Sequence, residues 1–401
     1  MTEARRFIRY LFPGMIFIVL LVLYLFLSAT GGPYPQSTVI SGVNWQFDNL
    51  ITSASGSDLW PATWAGDNNV YMTWGDGGGF GGDDTKCRTQ FGMAKIEGYP
   101  PSLTTMNVYG CKSDDTGCVG TFTHDAACNA SYASAILAYG EDIVAVDNSL
   151  YAIATHEAVP RYAKIAYSSN FGQTWLEYPW NWPQNAGDWR PDGFVQVGMG
   201  LPGQQYIYIV GGKIGDDINT YLARYPLPLY RCQIATNCLG SQPGYQWFVG
   251  TPSSPSWGTW ANAVPIHTDS SGGTGGHMTY FPVLGRYIFS QAHGIPLKLP
   301  KFAMYDAPNP WGPWTTVTYQ ETWGGYNQAT YSLWYSITTK WISADGKTFW
   351  MSYSGMGDAP YNLDSFNLVK GTFVLAGEPS PPTGLGVGSY FFGPYFYGTM
   401  N

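Results

Sequence analysis

The chain has 401 residues and a formal net charge of −8, with 11% charged residues, 17% aromatic residues, 50 Gly and 28 Pro. No basic stripe is present to release counterions from a phosphate backbone, which excludes a nucleic-acid partner. So few charges and so many turn residues also exclude long solvated helices, and favour short strands joined by tight turns.

The N-terminus reads first. Arg5, Arg6 and Arg9 precede an uncharged apolar run over residues 11–29. About 20 apolar residues cross a bilayer core, and the upstream arginines favour a cytoplasmic N-terminus, so the remainder of the chain is expected outside. Ser28, Ala29 and Thr30 followed by Gly31-Gly32 suit a cleaved signal peptide equally well, and both readings of residues 1–31 stay open. The position and flanking charges disfavour a buried core helix. The protein is expected to be secreted or at the cell surface, held to the membrane if the segment is uncleaved.

A weak repeat follows, whose unit is a β-hairpin: an apolar strand, a turn of Asp, Asn or Gly, and a second strand ending in polar residues or glycine. The pairs are residues 59–65 with 70–74, 143–146 with 150–155, 194–198 with 206–210, 278–282 with 286–290, and 334–342 with 348–353. Third strands are expected at 92–96, 162–167, 220–225, 301–305 and 366–370, and fourth strands at 173–178, 245–249 and 314–318. Five units of four strands imply an all-β, five-bladed β-propeller over residues 42–376, preceded by one N-terminal transmembrane or signal helix. Residues 45–51 are placed to complete the last blade and close the ring without an exposed edge. Residues 377–401, rich in Pro, Gly and aromatics, read as an extended strap.

The cysteines, Cys87, Cys111, Cys118, Cys128, Cys232 and Cys238, are even in number and all lie in the exported part, which points to disulfides. Cys232 and Cys238 suit a short closed loop, whereas spacing leaves the pairing of the other four open. Asn129-Ala130-Ser131 is a glycosylation sequon, relevant in a eukaryotic host.

In each hairpin the residue opening the first strand faces the residue closing the second, so these positions share a rim. In the first hairpin this brings Asp58 opposite or diagonal to Asp76, within the reach of cross-strand neighbours. The same rule adds His156 and Glu157, Asp192 with Lys213, His277 with His293, and Tyr335 opposite Ser354. Trp60, Trp64 and Trp74 flank the acidic pair, and aromatic faces beside carboxylates suit the stacking and cleavage of sugars. The same tryptophans equally suit wedges between blades. An Asp beside a turn is often only a cap. The glycines after Asp76 lack a phosphate-loop pattern, and His277 and His293 suit a pocket better than a metal, so no cofactor or metal is expected.

The segment Asp58-Leu-Trp-Pro-Ala-Thr-Trp64 followed by Val70-Tyr-Met-Thr-Trp-Gly-Asp-Gly77 resembles a family of five-bladed propellers catalogued as a domain of unknown function, some members of which are endo-acting D-arabinanases. Thr339-Lys-Trp-Ile-Ser-Ala-Asp-Gly-Lys-Thr-Phe-Trp350 and Asp364-Ser-Phe-Asn-Leu368 are similar to its last blade. The resemblance implies a glycoside hydrolase whose acidic pair is Asp58 and Asp76. A second likeness, of Ser168-Ser-Asn-Phe-Gly-Gln-Thr-Trp175 to the Asp-box turn of sialidases, implies a folding element of a blade.

Two functions fit these features: hydrolysis of a polysaccharide, arabinan-like in class, with Asp76 as acid and Asp58 as base, or non-catalytic binding of a glycan or protein. Trp60, Trp74, His156, Glu157, Asp192, His277 and His293 are the expected substrate contacts. Both carboxylates facing one open cleft favours the first function. The cysteines give a direct test: exported protein, labelled under denaturing non-reducing conditions, should show only a trace of free thiol. Four or more reactive thiols would remove the oxidising-compartment reading.

Overall fold

A computed structural model describes residues 31–75, 77–81, 91–108, 111–112, 139–156, 160–201, 204–226, 244–294, 301–323, 332–355 and 364–378. The N-terminal apolar segment, Asp76, Glu157, the strap beyond residue 378 and all cysteines except the backbone of Cys111 lie outside these residues. The described strands form five blades of an all-β propeller. The first contains Asp58–Trp64, Val70–Gly75, Gly92–Tyr99 and Ser102–Asn107. The second contains Tyr139–Val146, Ser149–His156, Tyr162–Ser168 and Thr174–Glu177, and the third Trp189–Gln196, Tyr206–Lys213, Asp216–Pro226 and Gln246–Phe248. The fourth contains Gly273–Phe281, Arg286–His293, Phe302–Ala307 and Thr315–Gln320. The fifth, Ser332–Ile337, Thr348–Gly355 and Phe366–Leu375, is completed by Ile40–Ser53, which pairs antiparallel with the last strand as Val43↔Phe373 and Ile51↔Leu368. N-terminal chain thus closes the ring, as the sequence suggests.

Each inner strand lies against the inner strands of its neighbours, and their free backbone edges are satisfied by side chains crossing between blades. Ala145 N–H donates to Thr63 Oγ1 at 2.9 Å, and Thr73 Oγ1 to Gly140 O at 3.0 Å, joining blades one and two. Gln196 Nε2 donates to Ile143 O at 2.8 Å, and Phe194 N–H to Asp142 Oδ2 at 2.5 Å, joining two and three. Blades three and four pair directly and in parallel through Val195↔Met278. Thr279 Oγ1 donates to Ile337 O at 3.0 Å, and Ser352 Oγ to Trp60 O at 2.8 Å, completing the circle.

Every inner hairpin carries a register shift near the start of its inner strand. The shifts lie between Leu59 and Ala62, Gly140 and Asp142, Pro191 and Gly193, Thr274 and His277, and Leu333 and Ser336. Each adds one residue to the inner strand, a β-bulge that bends the strand and re-aims a side chain. Pro61 is tolerated in such a bulge, where it owes the ladder no N–H.

At the opposite end the hairpin turns lock together. Gly66 N–H donates to Asp147 O at 3.1 Å, Asp147 N–H to Gly200 O at 3.1 Å, and Gly200 N–H to Trp64 O at 2.9 Å. A Cβ on Gly66 would fall 2.4 Å from Asn148 Oδ1, so only glycine permits this approach. The first three blades are therefore bonded to one another at their turn ends.

Two details differ from the sequence reading. The strand expected to reach residue 342 ends at Ile337, and Thr339–Trp341 form a 3-10 turn, because Trp341 is buried against the first blade with its indole N–H on Gly98 O at 3.2 Å. The first blade also has a fourth strand, Ser102–Asn107, that alternation alone did not reveal. The Asp-box-like turn is structural: Ser168 Oγ accepts Gly172 N–H at 2.7 Å, Asn170 Oδ1 accepts Thr174 N–H at 2.9 Å, and Trp175 is buried beside Phe91.

The inter-blade bonds give a stability test. Thr63→Val keeps the shape but orphans the buried Ala145 N–H, and is expected to cost about 1–3 kcal/mol. Thermal denaturation should show a midpoint lower by a few degrees.

Candidate active site

The open rim gathers the residues at the five bulges. Asp58 begins the first inner strand, Glu141 is the extra residue of the second, and Asp192 is the extra residue of the third. Trp334 lies in the bulge of the fifth at φ 58°, partly exposed, its indole N–H donating to Glu141 O at 2.9 Å. Carboxyls from three successive blades and one accessible tryptophan thus share one rim. The run Glu141-Asp142 before Ile143 was the signal for the second position. It stands at the start of the second hairpin as Asp58 does at the first.

The expected residues divide. Asp58 is partly exposed and pairs with Gly75, one residue short of Asp76, because the bulge at Trp60-Pro61 moves the register by one. Asp76 and Glu157 lie outside the described residues. Trp60 and Trp74 are buried at 0% and 2% exposure and stack on each other with ring centroids 5.4 Å apart. Their indole N–H groups donate to Ser57 O and Gly77 O, so they are core wedges rather than sugar platforms. His156 is buried, stacked on Tyr162, with Nε2 2.5 Å from Glu177 Oε1.

His277 does not face His293. In the fourth blade His277 pairs with Ser290 and His293 with Gly273. His293 is buried against Tyr319, with ring centroids 3.8 Å apart and Nε2 3.0 Å from Gln320 O, and so is part of the blade rather than a substrate contact. His277 is buried near the axis, 6.2 Å from the Trp334 ring, and neither ring nitrogen has a partner among the described residues. Burial pushes its pKa down to about 3, so it is neutral at ordinary pH and unsuited to proton transfer. The expected pairs Asp192 with Lys213 and Tyr335 with Ser354 are also displaced: Lys213 pairs with Trp189, and Leu333 with Ser354. Tyr335 is wholly buried.

Asp192 is at the rim as expected, held by Arg190 through Nε–Oδ1 at 2.7 Å and Nη2–Oδ2 at 3.3 Å. This fork fixes both side chains. Glu141 sits beside the pair. Burial first, then the negative charge of Asp192, push the Glu141 carboxyl up to about 7, against the opposing pull of Arg190 and a hydrogen bond from Thr155. Asp142 points inward instead. Burial raises its pKa well above the usual range although Ile143 and Phe194 N–H groups donate to it. Gly193 makes room for it, since a Cβ there would meet Asp142 Oδ2 at 3.0 Å and His277 Cδ2 at 3.2 Å. Among the described residues no group of three or more His, Cys, Asp or Glu is gathered to hold a metal ion.

Structural comparison finds glycoside hydrolases among the solved structures similar to this chain. A GH43_1 enzyme from Xanthomonas citri is 10% identical with a TM-score of 0.45, over 81% of this chain and 91% of that one. The GH43 protein BlXynB from Bacillus licheniformis is 12% identical with a TM-score of 0.47, over 82% of this chain and 56% of that one. An alpha-L-arabinofuranosidase from Podospora anserina, in complex with cellotriose, is 10% identical with a TM-score of 0.42, over 86% and 95%. No family model matches the chain, and no curated protein sequence matches it.

Glu141 makes stability depend on pH. Its folded pKa of about 7 exceeds the ordinary glutamate value of 4.5, so the folded state binds the extra proton. The resulting stabilisation is full below about pH 4.5 and is lost as pH rises through 7. Glu141→Gln removes this dependence, and denaturant titrations should show the variant gaining roughly 2 kcal/mol on wild type between pH 5 and pH 8. A constant difference across that range would refute the raised pKa.

Proposed function

We propose that the chain is an extracytoplasmic glycoside hydrolase acting at the open rim of the propeller on a neutral, arabinan-like polysaccharide. The observation that carries this reading is Glu141, a carboxyl that keeps its proton to about pH 7 at a rim shared with the partly exposed Asp58. Glycoside cleavage needs one protonated carboxyl for the leaving oxygen and one ionised carboxyl on the other side of the bond. Glu141 is the proton donor and Asp58 the base. The acid role passes from Asp76 to Glu141 because the environment that raises a carboxyl is present there: burial and the neighbouring Asp192. Arg190 and Asp192 position the donor, and Trp334 offers a partly exposed ring for a sugar face. The substrate class rests on the sequence resemblance. The extracytoplasmic site of action rests on the charge and apolar pattern of residues 1–31.

The test begins with a glycan-release screen of the purified protein, followed by separate Asp58→Asn, Glu141→Gln and Asp76→Asn variants of confirmed fold. Glu141→Gln and Asp58→Asn should each lower kcat by roughly 100-fold or more. Wild-type kcat should fall above about pH 7 as Glu141 loses its proton. Loss in Asp76→Asn with retention in Glu141→Gln would return the acid role to Asp76. Release from no glycan would overturn the hydrolase reading.

A further inference from the structure

Between the third and fourth blades, at the same rim, lies a polar notch with room for roughly one water-sized group. Its wall is almost entirely polar, formed by Arg190, Asp192, Asp216, Asn219 and Gln291 over a floor of glycines. The glycines are needed there. A Cβ at Gly212 would fall 2.9 Å from Arg190 Nη2, and one at Gly273 would fall 2.6 Å from Gln291 Nε2.

Both carboxylates of the notch are already hydrogen-bonded. Asp192 is forked by Arg190. Asp216 accepts Ile218 N–H at 3.1 Å, Asn219 N–H at 3.2 Å and Asn219 Nδ2 at 3.0 Å; against burial, which raises its pKa, these bonds and then Lys213 bring it below the usual range. An incoming carboxylate would meet two carboxylates against the single guanidinium of Arg190 and would be repelled. A neutral hydroxyl, which both donates and accepts, matches carboxylate oxygens on one side and guanidinium and amide N–H groups on the other.

We propose that this notch is a specificity subsite that receives the exocyclic hydroxymethyl group of one neutral sugar at a chain end, with Gln291 and Asp216 as its reading residues. The inference rests on the hydrolase reading above and deepens it. The size of the notch admits a hydroxyl but not a ring, so the ring stays at the rim beside Glu141 and only the side arm enters. Arabinofuranosides carry such an arm, xylopyranosides carry none, and glucuronides carry a carboxylate in its place. The subsite therefore ranks the three in that order. Hydrogen bonds with charged groups separate substrates that make them from substrates that do not.

The experiment compares the full-length chain with Gln291→Met and Asp216→Asn on the 4-nitrophenyl α-arabinofuranoside, β-xylopyranoside and β-glucuronide. Wild type should prefer the arabinofuranoside, and each variant should raise its KM about tenfold with kcat little changed, while activity on the xyloside stays as it was. Equal losses on arabinofuranoside and xyloside, or a preference for the glucuronide, would overturn the subsite. Saturation-transfer NMR with methyl α-arabinofuranoside separates this from failure of the hydrolase reading. Strongest saturation at the hydroxymethyl protons, abolished by Gln291→Met, upholds the subsite even if no glycoside is cleaved. Saturation spread evenly over the sugar, or unchanged by the variant, overturns it.

Discussion

The structure depends on how the inner strands satisfy their axial edges. A strand at the axis of a propeller has a blade on one side only, and its remaining N–H and C=O groups are buried without a ladder partner. Here the neighbouring blade supplies side chains to those groups: Thr63 to blade two, Gln196 to Ile143, Asp142 to Phe194, Thr279 to blade five and Ser352 to Trp60. Where no side chain serves, two inner strands pair directly, as Val195 and Met278 do. Small hydroxyls recur in these places because they reach an adjacent backbone without wedging the blades apart.

The bulges follow from the same crowding. Five strands converging on an axis cannot all keep an unbroken ladder up to the rim, and one extra residue in each lets the strand turn away from its neighbours. At Glu141 and Asp192 that extra residue is acidic. The second blade then turns two adjacent carboxyls to different work. Glu141 keeps contact with solvent at the rim, while Asp142 is wholly buried and holds the third blade through Phe194. A single position along the strand separates a carboxyl at the rim from one that joins two blades.

The closed turn ends bear on where chemistry can occur. With Gly66, Asp147 and Gly200 bonded round one end of the first three blades, the other end is the one formed by the strand starts. That is the rim on which Asp58, Glu141, Arg190 and Asp192 lie. Rim and notch are continuous through the Arg190–Asp192 fork, which lines one and adjoins Glu141 in the other.

The sequence by itself determined the all-β class, the five hairpins, the completion of the last blade by N-terminal chain, and Asp58 and Asp192 as rim residues. Each of these is written locally, in strand alternation, in turn residues and in the position of a residue relative to its turn. Tertiary structure decided the pairing at the rim and the fate of the aromatics. The bulge at Trp60-Pro61 moved Asp58 onto Gly75, and the register of the fourth blade sets His277 opposite Ser290 and His293 opposite Gly273. The burial of Trp60 and Trp74 was decided in the same way, since a tryptophan beside an acidic residue looks alike in sequence whether a sugar or Phe366 packs against it. The Glu141 carboxyl is raised first because the assembled fold buries it, and then because Asp192, some fifty residues away in the chain, is brought beside it.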